Sequence, residues 1–173
     1  MTGDPDPDPR LVIELSWHSP RWRRTLPGIG RLARDTARAA ILATGSVGGA
    51  AELSLVFTDD DEIQALNRRW RGQDKPTNVL SFPVGDTVPI AGAPVMLGDV
   101  VLAYATVARE AAAQGKPFAH HVRHLLIHGV LHLLGHDHAR SDEAAIMERL
   151  ECRILAGFGV PDPYLALSDP GHG

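Results

Sequence analysis

The chain has a single cysteine, Cys152, in 173 residues. It can form no internal disulfide and no thiolate-rich zinc site within one chain. Cys152 falls in an apolar helical pattern and reads as a buried small hydrophobe. No apolar run approaches the length of a membrane span, and the N-terminus lacks the basic-then-apolar pattern of a secretory signal. A cytoplasmic location without a membrane partner is therefore expected. A global basic excess is also missing: the formal charge is −4. Any nucleic-acid contact must rest on local positive potential. There are no repeats, no internal linker and no regular βαβ alternation. With 44 % hydrophobic residues, the chain suits one packed domain of the α+β class.

Residues 1–10 alternate Asp with Pro and cannot build a core, so a disordered acidic tail is expected there. A single domain over 11–164 and a C-terminal tail over 165–173 follow. Strands are predicted over 11–17, 51–57, 78–82 and 98–103, from β-branched content and partial alternation. One helix is expected within 21–44, mainly from Ile29, because Pro27-Gly28 punctuates its start. A second follows the cap oxygens of Thr58-Asp59-Asp60 and runs to about Trp70. Polar residues 71–77 and the Gly- and Pro-containing stretch 84–97 read as loops. An alanine-rich helix over 104–114 ends at Gly115. The next starts at Pro117 and runs to about Leu134. A last helix is capped by Ser141 and ends near Gly157 or Gly159.

The chemistry concentrates in His128-Gly129-Val130-Leu131-His132-Leu133-Leu134-Gly135-His136-Asp137-His138. His128 and His132 lie one helical turn apart and project from one face. Gly135 suits the left-handed conformation that ends a helix, which lets the chain turn back and bring His138 toward the other two. Three converging imidazoles with a fourth position open make the layout of a catalytic zinc site. One zinc ion per chain is the first choice; nickel, copper or iron also accept imidazoles. His120 drifts off this face, His121 reads as surface, and His136 ranks below His138 as a ligand. His124 is either a partner behind the ligands or an ordinary helix histidine. Asp137 either orients a ligand imidazole or bonds its own turn.

A missing glutamate is as informative as the histidines. The spacing H-x-x-x-H-x-x-G-x-x-H matches the metzincin protease frame, in which a Glu after the first His is the general base. Gly129 stands there instead, so a protease would lack its proton acceptor. The same metal geometry can polarise a phosphoryl oxygen, which favours phosphodiester over peptide chemistry.

The segment Arg71-Gly72-Gln73-Asp74-Lys75-Pro76-Thr77-Asn78-Val79-Leu80-Ser81-Phe82-Pro83, then Leu97-Gly98-Asp99, then the histidine motif and the closing Pro161-Asp162-Pro163-Tyr164, resembles the YbeY family. These are bacterial metal-dependent endoribonucleases of ribosomal RNA maturation and ribosome quality control. The resemblance implies His128, His132 and His138 as zinc ligands and Arg71 as the functional arginine. It also implies a mixed, mostly parallel sheet of about four strands, with helices packed against it and the metal in a cleft. The partners it implies are single-stranded RNA, the 3′ end of 16S rRNA on the ribosome, and ribosomal or assembly proteins. A guanidinium near a metal can clamp a phosphate bidentately. Lys75 and Arg69 are further candidate phosphate contacts. Arg31, Arg34 and Arg38 share a helix face, preceded by Arg21, Arg23 and Arg24, and form a candidate RNA-backbone patch. Two alternatives stand beside this reading: a non-enzymatic ribosome-assembly factor with a structural metal, and a metalloprotease.

Overall fold

Apolar side chains at alternate positions build the sheet. In β2 (Ala51–Thr58), Ala51, Leu53, Leu55 and Phe57 turn to one face and are at most 3 % exposed, the period of two that a strand imposes. β1 (Leu11–Trp17) lies parallel to it, from Leu11 opposite Ala51 to Trp17 opposite Phe57. On the other side β4 (Val95–Ala103) is also parallel, and β3 (Val79–Pro83) pairs antiparallel with the outer edge of β4. The order is β1-β2-β4-β3, the mixed, mostly parallel sheet that was expected. The computed structural model describes residues 10–84, 90–137 and 139–167. The Asp-Pro segment 1–9 and the tail residues 168–173 lie outside them, as does His138.

The fourth strand begins at Val95, earlier than the expected Gly98. Glu52 faces Met96 while Leu53 faces Gly98, so Leu97 is an extra residue on β4. Such a bulge bends a strand without ending its pairing. Gly98 adopts φ +129°, and a Cβ there would lie 2.2 Å from the Phe82 carbonyl oxygen. The position admits only glycine.

Parallel neighbours need a long crossover. Between β1 and β2 it consists of α1 (Arg21–Thr25) and α2 (Ile29–Thr44). The helix expected mainly from Ile29 is α2, and the short α1 precedes it across Leu26-Pro27-Gly28. α3 (Asp60–Arg71) carries Asp60, Asp61 and Glu62 in its first turn and Arg68, Arg69 and Arg71 in its last, each sign placed where the helix dipole favours it. After β4 come α4 (Tyr104–Ala113), α5 (Phe118–Leu133), α6 (Ser141–Ala156) and α7 (Pro163–Leu167). α7 extends the fold to residue 167, beyond the expected boundary at 164.

α5 is the centre of the molecule. Val122, Leu125, Leu126, Ile127, Val130 and Leu131 are all buried, and the helix touches α2, α4, α6, β3 and β4. A helix apolar around most of its girth belongs inside. β4 is covered on both faces: Val100 and Leu102 join the large core on the α5 side, while Val101 and Ala103 meet Ile63 and Leu80 on the other. β1 and β3 are the edge strands of the sheet, and at β1 the Arg34 Nε donates to the Ile13 carbonyl at 3.4 Å. Among the described residues no helix is long and apolar enough to cross a membrane.

Candidate active site

The C-terminal half of α5 presents His128 and His132 to a cleft of about 760 Å³ whose walls include Arg71, Asn78, Ser81, His124, His136 and Tyr164. The two imidazoles stand nearly perpendicular, with Nε2 facing Nε2 at 3.1 Å. α5 ends as its sequence suggests. Gly135 takes φ +94°, its N–H donates to the His132 carbonyl at 3.1 Å, and the His136 N–H donates to that of Leu131 at 3.0 Å. This paired closure satisfies the last carbonyls and reverses the chain. It places His136 and Asp137 on the cleft wall. The Oδ1 of Asp137 accepts the Ala139 N–H at 3.3 Å, the turn-bonding alternative of its sequence reading.

Behind the histidines lies a residue that sequence reasoning missed. Glu151, on α6, is fully buried. Its Oε2 accepts the His128 Nδ1–H at 2.7 Å, and its Oε1 accepts the His124 Nε2–H at 3.0 Å and the Tyr164 hydroxyl. Burial pushes the carboxyl up, but the hydrogen bonds from His124, His128 and Tyr164 outweigh it and hold the group at about 2. The carboxylate is therefore ionised and acceptor-only. A proton on His128 Nδ1 leaves the Nε2 lone pair for the cleft, the tautomer that a metal ligand requires. His124 thus reaches His128 through Glu151. Among the described residues its own Nδ1 is buried without a hydrogen-bond partner.

Gly129 has a packing cause. A Cβ there would sit 2.6 Å from Val100 Cγ1 and 3.2 Å from Ser81 Oγ. The helix lies directly on the sheet at this point, and a glutamate would point into β4 rather than into the cleft. Ser81 Oγ also donates to the Gly129 carbonyl at 2.8 Å.

The arginine loop is pinned to the end of α3. Gly72 adopts φ +69°; Asn67, 3 % exposed, donates to the Lys75 carbonyl at 2.9 Å; and Asp74 accepts from Gln64 at 3.1 Å. Arg71 is exposed on the cleft wall. Asn78, at the start of β3, donates to Glu110 Oε1 at 3.0 Å, and His121 Nε2 meets the same oxygen at 2.8 Å. Burial raises the Glu110 carboxyl, but hydrogen bonds from His121 and Asn78, with the charges of His121 and Arg109, bring it below its ordinary value. His121 was expected on the surface. It is 4 % exposed, because α4 covers the side of α5 that a single-helix reading leaves open.

Other candidates stand away from the cleft. Lys75 and Arg69 are not on its wall, and Arg69 stacks on Trp70 at 5.0 Å. Arg31 and Arg34 line a separate hollow of about 370 Å³ with Arg23 and Trp17. Asp35 lies 3.9 Å from Arg31 and 3.3 Å from Arg38, and the Arg38 side chain is only 13 % exposed, so the expected basic face is partly neutralised. Cys152 is only partly buried. Burial, the hydrogen bond to Asp162 and nearby acids push its thiol up to about 12.

The chain is thus an α+β protein in which a braced histidine pair from the central helix and an arginine from the end of α3 line one open cleft. A family model described as Endoribonuclease YbeY matches residues 29–159. The chain belongs to this family. The Endoribonuclease YbeY of Sinorhizobium medicae is 62 % identical over 115 residues, 66 % of this chain and 68 % of that protein. That of Rhodopseudomonas palustris is 47 % identical over 165 residues, covering 95 % and 84 %. That of Paramagnetospirillum magneticum is 49 % identical over 157 residues, covering 89 % and 96 %. The solution structure of a Thermotoga maritima protein matches with a TM-score of 0.51 at 20 % identity, covering 94 % of this chain and 96 % of that one, a likeness of fold.

Proposed function

We propose that this chain is a metal-dependent endoribonuclease that cuts single-stranded RNA, acting on the ribosome in the cytoplasm to mature the 3′ end of 16S rRNA and in ribosome quality control. The observation that carries the metal is the His128–His132 pair, with Nε2 atoms 3.1 Å apart. Two nitrogens on a tetrahedral zinc, each bonded at 2.0–2.1 Å, lie about 3.3 Å apart, so the pair fits with little adjustment. Among the described residues no group of three His, Cys, Asp or Glu side chains is set for one ion. The third ligand in this reading is His138, the last histidine of the motif. His128, His132 and His138 would hold a zinc ion, which would supply Lewis-acid polarisation of the scissile phosphate; nickel or another divalent transition metal would suit the same donors.

The chain's own residues supply the rest. Arg71, on the wall of the same cleft, clamps the phosphate, and as a guanidinium it does so with two parallel hydrogen bonds. Trp70 adds a stacking face. It continues the Ile63, Leu66, Asn67 stripe of α3 by one turn, past the core, and is 62 % exposed. Aromatic platforms of this kind hold single-stranded bases. Arg69, stacked on Trp70, and Lys75 add charge. Arg31, Arg34 and Arg38 would engage only an RNA long enough to reach the β1 edge. Ribosomal or assembly proteins deliver the RNA to a protein of charge −4.

Neither alternative is favoured. The close contact at Gly129 leaves a protease no general base at that position, and an open, exposed arginine in the cleft suits a substrate better than a closed structural metal. The test is cleavage of a single-stranded RNA bearing the 16S 3′ end, with protein of known metal content beside His132→Ala. Metal-dependent cutting lost in the variant supports the reading. Equal cutting by both, or none by the fully loaded protein with or without ribosomes, overturns it. A 2′,3′-cyclic phosphate on the product would identify the RNA's own 2′-hydroxyl as the attacking group.

A further inference from the structure

α7 ends the described chain against the back of the cleft. Asp162 Oδ1 accepts the Tyr164 N–H at 2.8 Å, Pro163 is buried, and the Tyr164 ring stands edge-on to His124 at 5.6 Å and 88°. The Tyr164 hydroxyl donates to Glu151 and lies 3.2 Å from His124 Nε2. One carboxylate oxygen thus takes two donors from two elements. A carboxylate held this way cannot rotate about its last bond, and its second oxygen has a fixed direction. That second oxygen is the one on His128 Nδ1.

We propose that Tyr164 is a positioning residue: by donating to Glu151 Oε1 it aims Oε2 at His128 Nδ1, and so presents His128 Nε2 to the cleft. The proposal rests on the reading of His128 as a metal ligand. It assigns a role to the C-terminal Asp162-Pro163-Tyr164 turn, which touches neither the ligand nitrogen nor the substrate arginine. Outer partners of ligand histidines typically change metal affinity by about 10- to 100-fold, and Tyr164 acts one step further out, so the lower end is expected.

The experiment compares Tyr164→Phe with the parent in two measurements. The first is zinc affinity by competition with a chelating indicator. The second is the ¹⁵N spectrum of the His128 ring in metal-free protein, which separates the Nδ1–H from the Nε2–H tautomer. Expected are a roughly ten-fold weaker zinc affinity and a His128 signal that moves from pure Nδ1–H toward a mixture. The thermal unfolding midpoint of the metal-free variant should fall modestly, as for any lost hydrogen bond to a buried carboxylate, so the tautomer is the deciding readout. Asp162→Ala, which keeps the hydroxyl but unties its helix, should move both readouts in the same direction. A merely structural tyrosine would lower the melting point and leave the tautomer unchanged, and that result overturns the proposal. If the parent binds no zinc, the metal reading falls. The ring spectrum then decides alone: a tautomer indifferent to Tyr164→Phe sinks the positioning role as well.

Discussion

Ser81 Oγ donates to the Gly129 carbonyl at 2.8 Å and so ties β3 to α5 between the two cleft histidines. The same glycine meets Val100 across the helix–sheet contact. The distance from β4 to the histidines is therefore set by the absence of one methyl group.

Gly129→Ala should cost about 1–3 kcal/mol in urea unfolding, because overpacking forces backbone or rotamer shifts in a dense core. Val100→Ala in the same chain removes the obstructing methyls and should recover part of the loss. The coupling is then read from the double-mutant cycle. An alanine variant as stable as the parent would show that α5 has slack at this point.

Glu151→Gln preserves shape but exchanges one acceptor oxygen for a donor. Glu151 takes three donors, so at least one faces an N–H₂ in the variant. An unsatisfied buried polar group costs about 1–3 kcal/mol, to be measured as a lowered denaturation midpoint with an unchanged slope.

Arg71 is exposed, so Arg71→Ala should alter stability by no more than about 0.5 kcal/mol. Cleavage should fall by about 100-fold or more, as when a donor to the developing charge is removed. Arg71→Lys should recover little, since an ammonium cannot reproduce the two-point clamp. A lysine variant of full activity would recast Arg71 as a mere positive charge.

Trp70→Ala should raise KM for single-stranded RNA by about 5- to 100-fold, the range that stacking on one base implies, with kcat little changed. Trp70→Phe should keep most of the affinity. A KM that ignores both substitutions removes Trp70 from the RNA path.

Glu110 provides the pH test. Its folded value lies below the ordinary 4.5, so between the two values the unfolded chain binds more protons. Stability from this group is complete above pH 4.5 and is lost as pH falls through the depressed folded value. The stability gap between the parent and Glu110→Gln should therefore narrow on acidification from pH 5, followed by urea midpoints. A gap that stays constant to pH 3 would mean that His121 and Asn78 do not favour the charged form.

What the sequence made legible was local. Periodicity located β1, β2 and α5, and Gly135 ended α5 in the left-handed turn expected of it. His128, His132 and Arg71 were visible because their spacing or motif carries their chemistry, and the fold does bring them to one cleft. Glu151 was not visible because its meaning is tertiary: its partners lie 23 and 27 residues upstream on another helix. A signal was present, since it shares the buried stripe of Met147, Ile154 and Leu155, where an acid must be paired. His121 misled for the complementary reason: α4, not its own helix, buries it. The basic face of α2 was overstated because Asp35, at i+4 from Arg31, was not weighed. The bulge at Leu97 escaped because glycine ends a strand by propensity but not by pairing.

α5 makes the core and carries the site on one helix, in neighbouring residues. Segments that open independently in native proteins are those with few buried contacts, and His128 sits between the buried Ile127 and Gly129. Its amide has no private route to exchange with solvent. In deuterium exchange the turn around His128 should be released only with the slowest protons of the chain. Heat should then abolish catalysis and the fold at one midpoint, with no inactive yet folded stage between them.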